Sequence, residues 1–454
     1  PKETDFIMFV SVGDQIMPGA IGNIRSTLAL NPNIRLLYSD EEIFDAENLS
    51  IRPEFKGAYN PELQLERDYT GNLLCVSTKI SDQIEPADIQ SWPMRRFLLT
   101  NQLFAMIDDQ DVYHLPQVLY RRNNPESWKV EELSRFQEGM EKVLVKHWDY
   151  ANVRYEAETS SGRTVLKKIP NEILVSIIIP TRNGLEVLKP CIESILNSTA
   201  YRNFEIIIID NGSDDPKALE FLSKLVSEHN YIRVLRHDYP FNYSELNNLG
   251  AQNASGDVFV FLNNDIEVVD GDWLDELVAL TCHSGIGAVG PLLLYPDGTI
   301  QHAGVVLGIG GVAGHAFKYQ PKAFWGYQYR AKLISSYSAV TAACMLIAKS
   351  VFEEAAGFDE RNLAIAYNDV DLCLRLIESG RRNVLVPDAL LVHHESVSRG
   401  MENTPEKQAR FEKEGIYLME RWGQLLKNDP AYNPNLTLEK EDFSVAWPPR
   451  RERL

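Results

Sequence analysis

Four polar clusters in this sequence hold residue types that could work on one substrate. Asn263-Asn264-Asp265 follows the apolar run Val258-Phe259-Val260-Phe261-Leu262. Carboxylate and amide oxygens suit a hard divalent cation that keeps some waters and holds a diphosphate. Asp369 and Asp371 open a segment with helical spacing, where a helix dipole favours their ionised forms. Asp369 is a candidate general base, which must be a carboxylate able to reach an acceptor hydroxyl. Asp371 is better explained by capping and an i,i+4 pair with Arg375. In His393-His394-Glu395-Ser396, a neutral imidazole could complete a metal shell with Asp265, with His393 ahead of His394. Asp210, in Asp210-Asn211-Gly212-Ser213, could accept hydrogen bonds from a ribose or base. Each cluster also has a plainer reading, as an Asx turn after a strand or a structural histidine.

The elements that must position these residues are legible. Leu174–Ile179 is all β-formers, and Pro180 is expected to stop it before the loop Thr181-Arg182-Asn183-Gly184. Leu185–Ser198 is an amphipathic helix. Phe204–Ile209 is a second buried strand, and Asp214-Asp215-Pro216 caps the helix Lys217–Glu228. Arg233–Leu235 is a third strand and Tyr243–Ala254 an amide-rich helix. Short uninterrupted apolar runs alternating with helices predict a doubly wound, parallel α/β sheet. Three loops, at Pro180–Asn183, Asp210–Ser213 and Asn263–Asp265, then meet at its C-terminal edge, where such sheets bind ligands. Neither a dinucleotide glycine fingerprint nor a phosphate loop is present. A diphosphate there would need a cation.

Composition narrows the partners. The 454 residues leave room for two or three domains. The net charge of −19 argues against a nucleic-acid partner, because it repels phosphates. Local basic patches could still touch a membrane, but no apolar run is long enough to span one. Five scattered cysteines without a CxxC pair read as reduced thiols of a cytoplasmic protein. The chain opens at Pro1 rather than Met, so a longer natural protein is expected.

Residues 1–150 read as a first unit, joined by a charged, helical stretch (Trp128–Tyr155) and a linker over 151–170. FIMFVSVGDQIMP resembles VFVFLNNDIEVVD, NIRLLYSDEE resembles IGAVGPLLLYPDG, and VYHLPQVLYRRNN resembles NVLVPDALLVHHES, in the same order. The first unit therefore looks like the second half of the later domain, without its opening βαβ. It keeps only Asp14 at the metal position, so a non-catalytic role is expected.

The motifs SIIIPTRNG, IIIIDNGSDD, FNYSELNNLGAQNASGD, FLNNDIEV, GFDE, NDVDLCLR and HHESVSRG, in this order, resemble the family-2 glycosyltransferases of GT-A fold. The closest likeness is to the bacterial rhamnosyltransferase, O-antigen and cell-wall polysaccharide group. The resemblance covers about 171–400. It implies a GT-A catalytic domain there, preceded by a partial, degenerate GT-A-like unit and followed by a C-terminal helical tail over 401–454. It further implies that Pro180, Thr181, Arg182, Asn183, Asp210, Asn211, Asn247, Asn263 and Asn264 line the nucleotide-sugar pocket. Asp265 and His393 would lie at Mn2+ or Mg2+, and Asp369 would be the base. The loops Gln301–Gly304, Gly314-His315 and Thr341–Cys344 would border donor and acceptor. Asn263 and Asn368 depart from the family pattern, which has acids at both positions.

The function so implied is an inverting, metal-dependent transfer of a sugar, rhamnose favoured. The donor would be a dTDP- or UDP-sugar. The acceptor would be a hydroxyl of a bacterial surface polysaccharide or lipid-linked glycan. The expected location is the cytoplasm, with peripheral contact at the inner face of the cell membrane. The competing reading is a decayed transferase that binds carbohydrate or nucleotide as a scaffold.

Overall fold

A computed structural model describes residues 6–45, 49–85, 88–123, 130–147, 153–156, 163–166, 173–395 and 404–450. The chain divides into two compact units. One is Pro1–Lys168 with Pro430–Thr437 and Ser444–Leu454, and the other is Ile169–Asp429 with Leu438–Phe443. The end of the HHESVSRG motif (396–400) and residues 170–172 lie outside the described residues.

In the first unit, β1 (Phe6–Phe9), β2 (Gln15–Ile16), β3 (Leu36–Asp45), β4 (Ser50–Glu54), β5 (Leu74–Ser77) and β6 (Val112–Asn123) form a sheet ordered β1-β5-β3-β6-β2, with β4 on β3. A helix over Leu133–His147 takes up the middle of the stretch expected to be helical. Within the expected linker, β7 (Val153–Glu156) and β8 (Arg163–Leu166) pair antiparallel instead. Lys56 is fully buried here, with Nζ donating to the carbonyls of Ser39 and Thr70 at 2.8 Å and lying 3.4 Å from Glu41.

The second unit holds β9 (Val175–Thr181), β10 (Phe204–Asp210), β11 (Ile232–Arg236), β12 (Val258–Leu262), β13 (Ile266–Val268), β14 (Ile286–Leu294), β15 (Ile300–His302), β16 (Val305–Leu307), β17 (Ala313–His315), β18 (Ser335–Tyr337), β19 (Cys344–Ala348) and β20 (Arg382–His393). The sheet order is β11-β10-β9-β12-β19-β14-β20-β13. The expected parallel pairing holds for β9 to β12. The other half is mixed, because β19 runs antiparallel between β12 and β14, and β13 returns antiparallel on β20. Local sequence carries no sign of strand direction, and the strand–helix alternation that implied parallel pairing extends only as far as β12. β20 is one continuous strand, with a register shift opposite Pro291/Leu292.

Pro180 does not end its strand, contrary to expectation. It remains inside β9, paired with Ile209, and Thr181 pairs with Asp210. The last rung between β9 and β12 is Ile178 with Phe261, so proline's missing N–H breaks no rung on that side.

The strand order β12-β19-β14-β20-β13 repeats β1-β5-β3-β6-β2. The successive pairs run antiparallel, antiparallel, parallel and antiparallel in both units. In the second unit β12 also pairs with β9; among the described residues β1 has no counterpart of that neighbour.

Candidate functional site

β12 is buried along its whole length between β9 and β19, and it delivers Asn263-Asn264-Asp265 to the rim. The chain reverses there, with the Ile266 N–H on the Asn263 carbonyl at 3.3 Å, and enters β13. The β13–β20 register sets Ile266 opposite His393, so Asp265 comes to lie against that imidazole. His393 Nε2 is 3.2 Å from Asp265 Oδ1 and 3.4 Å from Asn263 Nδ2. Both Asp265 and His393 are 5 % exposed. Asp265 Oδ1 has this ion-pair contact but no aligned hydrogen bond, and His393 Nδ1 has no hydrogen-bond partner. Orphaned polar atoms at this depth are costly unless something else meets them. A carboxylate oxygen and an imidazole nitrogen fit a divalent cation. Among the described residues no group of three or more His, Cys, Asp or Glu is gathered to hold one, so a diphosphate and waters would have to supply its other ligands. His394 pairs instead with Glu267 at 2.9 Å, away from this contact.

Asp369 stands in the first turn of the helix Asn368–Glu378. Its Oδ2 accepts the Ala342 N–H at 3.0 Å and its Oδ1 the Val370 N–H at 2.8 Å. Burial pushes its carboxyl above the ordinary aspartate range, against the downward pull of those N–H groups and the Thr341 hydroxyl. Asp371 is buried and makes the expected pair with Arg375 at 2.8 Å, and it also accepts the Trp422 indole N–H at 2.8 Å. Asn368 is buried and donates to the Ile365 carbonyl.

One segment, Thr341–Ala343, joins Asp369 to the start of the Asn263–Asp265 turn. The Ala342 N–H meets Asp369, while the Ala343 carbonyl accepts the Asn263 N–H at 2.9 Å. The Ala342 carbonyl accepts the Tyr243 hydroxyl at 2.7 Å. Burial raises the Tyr243 phenol, and the charges of Asp369 and, less strongly, Asp265 push it the same way, so this ring senses both carboxylates. In the sequence Tyr243 marks only a helix start. Its signal was its place after the capping Asn242, whose side chain accepts the Glu245 N–H.

The remaining pocket candidates are held together at the same rim. Thr181 Oγ1 accepts the Asn264 side chain at 3.0 Å. Asp210 Oδ1 accepts the Ser213 N–H at 2.9 Å, the Asx-turn reading, and Oδ2 accepts Arg236 at 2.7 Å. Arg236 was not among the sequence candidates; the β10–β11 register sets it opposite Asp210. Asn183 spends its side chain on Asp214 and Asp215. Asn211 donates to the His237 and Tyr239 carbonyls and keeps an unpartnered Oδ1, as buried Asn247 does beside Tyr243. Arg182 is exposed. His302 and His315, the bordering histidines, meet Nδ1 to Nδ1 at 3.0 Å, and burial keeps both neutral at pH 7. A cavity of about 620 Å3 lies elsewhere, between Ala251, Phe259, Phe352, Phe358 and Arg375, and neither acid borders it.

Residues 176–354 match the family model described as glycosyl transferase family 2. The uncharacterized protein y4gI of Sinorhizobium fredii is 37% identical over 98% of this chain and 50% of its own length. The O-antigen biosynthesis protein RfbC of Myxococcus xanthus is 32% identical over 97% of this chain and 34% of its own length. The N-acetylglucosaminyl-diphospho-decaprenol L-rhamnosyltransferase of Mycobacterium tuberculosis is 27% identical over 50% of this chain and 78% of its own length. The chain thus spans half or less of the length of the first two relatives. Residues 176–354, within the second unit, are thus similar to glycosyl transferase family 2, in line with the order of the motifs there.

Proposed function

We propose that the second unit is an inverting, metal-dependent glycosyltransferase. It moves a sugar from a nucleoside-diphosphate donor to a hydroxyl of a growing surface polysaccharide or lipid-linked glycan. The observation that carries this reading is the Thr341–Ala343 segment, which ties the base candidate Asp369 and the Asn263–Asp265 turn to adjacent backbone groups. Rhamnose and a lipid-linked acceptor are favoured by the name of the mycobacterial relative, and a surface polysaccharide by that of RfbC.

Asp265 and His393 would hold Mn2+ or Mg2+, with Asn263 beside them. When bound, such a cation neutralises charge on the departing diphosphate. Asp369 takes the proton of the acceptor hydroxyl as its oxygen attacks the anomeric carbon. The bond to the diphosphate oxygen breaks from the opposite face, and its electron pair leaves with the nucleoside diphosphate. One displacement inverts the configuration without a covalent intermediate, so a single carboxylate base suffices. Its raised pKa strengthens it as a base. Thr181, Arg182, Asp210, Asn211 and Asn264 would line the nucleotide side.

The first unit is proposed as a non-catalytic partial GT-A-like domain over 1–150, with 171–400 catalytic. The carboxylate of Asp14 is taken up by Asn72, Tyr120 and Asn123. The helix start comparable to Asp369 carries Trp92, whose indole donates to Ser11 at 3.0 Å.

Diphosphate release from a panel of dTDP- and UDP-sugars, with and without Mn2+, tests the reading. Turnover should require Asp369 and respond to metal through Asp265. If Asp369→Asn and Asp265→Ala both keep full turnover, the site is wrong. Nucleotide binding without turnover under any donor would leave a scaffold.

A further inference from the structure

From Gly298 through Phe352 there is no Asp or Glu, in a chain that has 64 of them and a net charge of −19. Within this stretch, between β17 and β18, the sequence Lys318-Tyr319-Gln320-Pro321-Lys322-Ala323-Phe324-Trp325 makes an ordered loop. The Tyr319 N–H donates to the Ile300 carbonyl at 2.8 Å, and the Ile300 N–H to Gln320 at 2.7 Å. The Phe324 N–H closes a turn on Pro321 at 2.8 Å, and the Ala331 N–H meets the Trp325 carbonyl at 3.1 Å. At its root Phe317 is buried and stacks on Phe443, with ring centres 4.5 Å apart. At its tip, Pro321 to Trp325 are all exposed. Tyr319 is 64% exposed, Trp325 49% and Phe324 37%. The Lys318 ammonium lies 5.2 Å from the Tyr319 ring centre.

A backbone so tied down does not expose a Trp and a Phe for want of order. Neighbouring exposed aromatics mark a surface that something else covers. A carbohydrate platform would need polar side chains around its rings to read hydroxyls, and the five tip residues offer only Lys322. Aromatic rings flanked by lysines match a bilayer surface, where indole and phenyl groups enter the headgroup layer and cations meet lipid phosphates. Asp297, on the neighbouring turn, has its carboxylate engaged by Thr299. The loop also leads to the site. β15, tied to it at Ile300, ends at His302, which meets His315 Nδ1 to Nδ1 at 3.0 Å between the two loops expected to border donor and acceptor.

We propose that the loop Lys318–Trp325 docks the catalytic unit on an anionic lipid bilayer. Phe324 and Trp325 enter the headgroup region, and Lys318 and Lys322 meet lipid phosphates. This deepens the reading of a lipid-linked acceptor, by bringing the mouth of the site to the surface that carries it. Two rings and two cations make reversible, weak binding, in keeping with an enzyme that must move between acceptors.

Co-sedimentation of the full chain with phosphatidylethanolamine/phosphatidylglycerol vesicles, against phosphatidylcholine vesicles, tests it. The chain should partition to the anionic vesicles. Phe324→Ser with Trp325→Ser should lower that partition by about tenfold or more. Lys318→Gln with Lys322→Gln should abolish the preference for phosphatidylglycerol. Trp447→Ser, at a ring 89% exposed in the other unit, should change nothing. The proposal is overturned if the unaltered chain does not partition, or if the double-serine variant partitions equally. It is also overturned if that variant partitions normally but loses transfer to a soluble acceptor, which would make the loop a glycan platform. Lost vesicle binding with intact diphosphate release removes only this inference. Absent diphosphate release with intact vesicle binding removes only the transferase reading.

Discussion

Asp369 is placed so that its surroundings tune it without exhausting it. Burial raises its pKa while three hydrogen-bond donors keep the carboxylate oriented. The reactive form is the ionised one, so activity must fall as pH drops through that raised pKa. The acid limb of kcat/KM should therefore lie above about 3.9, the value for a solvated aspartate. Asp369→Asn keeps an acceptor for the Ala342 N–H, so it should fold, lose about 100- to 10,000-fold in kcat and show no acid limb. Steady-state kinetics from pH 4 to 8 read both effects. Tyr243→Phe removes the hydroxyl that meets the Ala342 carbonyl. The variant should lose about 1 kcal/mol of stability, seen in the denaturant midpoint, and some turnover as Ala342 loosens its hold on Asp369.

At the scale of the element, the helix Tyr243–Gln252 carries both Tyr243 and Asn247 and lies against β9. It approaches through Gly250, where an added Cβ would come within 2.3 Å of Ile178 Cγ2. In a free helix, glycine to alanine would gain about 1 kcal/mol. Here Ile178 sits in the central strand and has nowhere to retreat, so overpacking should win. Gly250→Ala should cost about 1–3 kcal/mol in chemical denaturation and reduce turnover, because Tyr243 rides on the displaced helix. The short strand β13 has a comparable part. Its pairing with β20, more than a hundred residues downstream, is what joins Asp265 to His393.

The whole molecule repeats one half-sheet with two different chemistries. Where the second unit leaves Asp265 Oδ1 with an imidazole contact but no aligned hydrogen bond, the first surrounds Asp14 with three donors. Asp14→Ala should therefore destabilise the protein by on the order of 2–3 kcal/mol yet leave diphosphate release per folded molecule unchanged. The first unit also stores an acid-sensitive charge. Burial opposes ionisation of Glu41, but Lys56 and Arg122 outweigh it and hold its carboxyl at about 2, below the ordinary 4.5. A depressed carboxylate stabilises the fold above its unfolded pKa, and that stability is lost as pH falls toward the folded value. A loss on the order of 3 kcal/mol between about pH 4.5 and 2 is expected for this unit, and Glu41→Gln should flatten that limb in acid unfolding followed by circular dichroism.

The sequence by itself determined the strands β9, β10 and β12, the helices that follow the first two, the order of the motifs and the repeat of apolar segments. These rest on short-range periodicity, and uninterrupted runs such as Val258–Leu262 admit few other structures. The pair Asp371–Arg375 was legible because four residues along a helix are neighbours whatever the fold. Only the tertiary structure decided the antiparallel course of β19 and β13, the place of Pro180 within a strand, the meeting of Asp265 with His393 and the salt bridge from Arg236 to Asp210. Each of these depends on which distant strand lies alongside and in what register, and hydrogen bonds between distant strands leave no trace in the local pattern of either one.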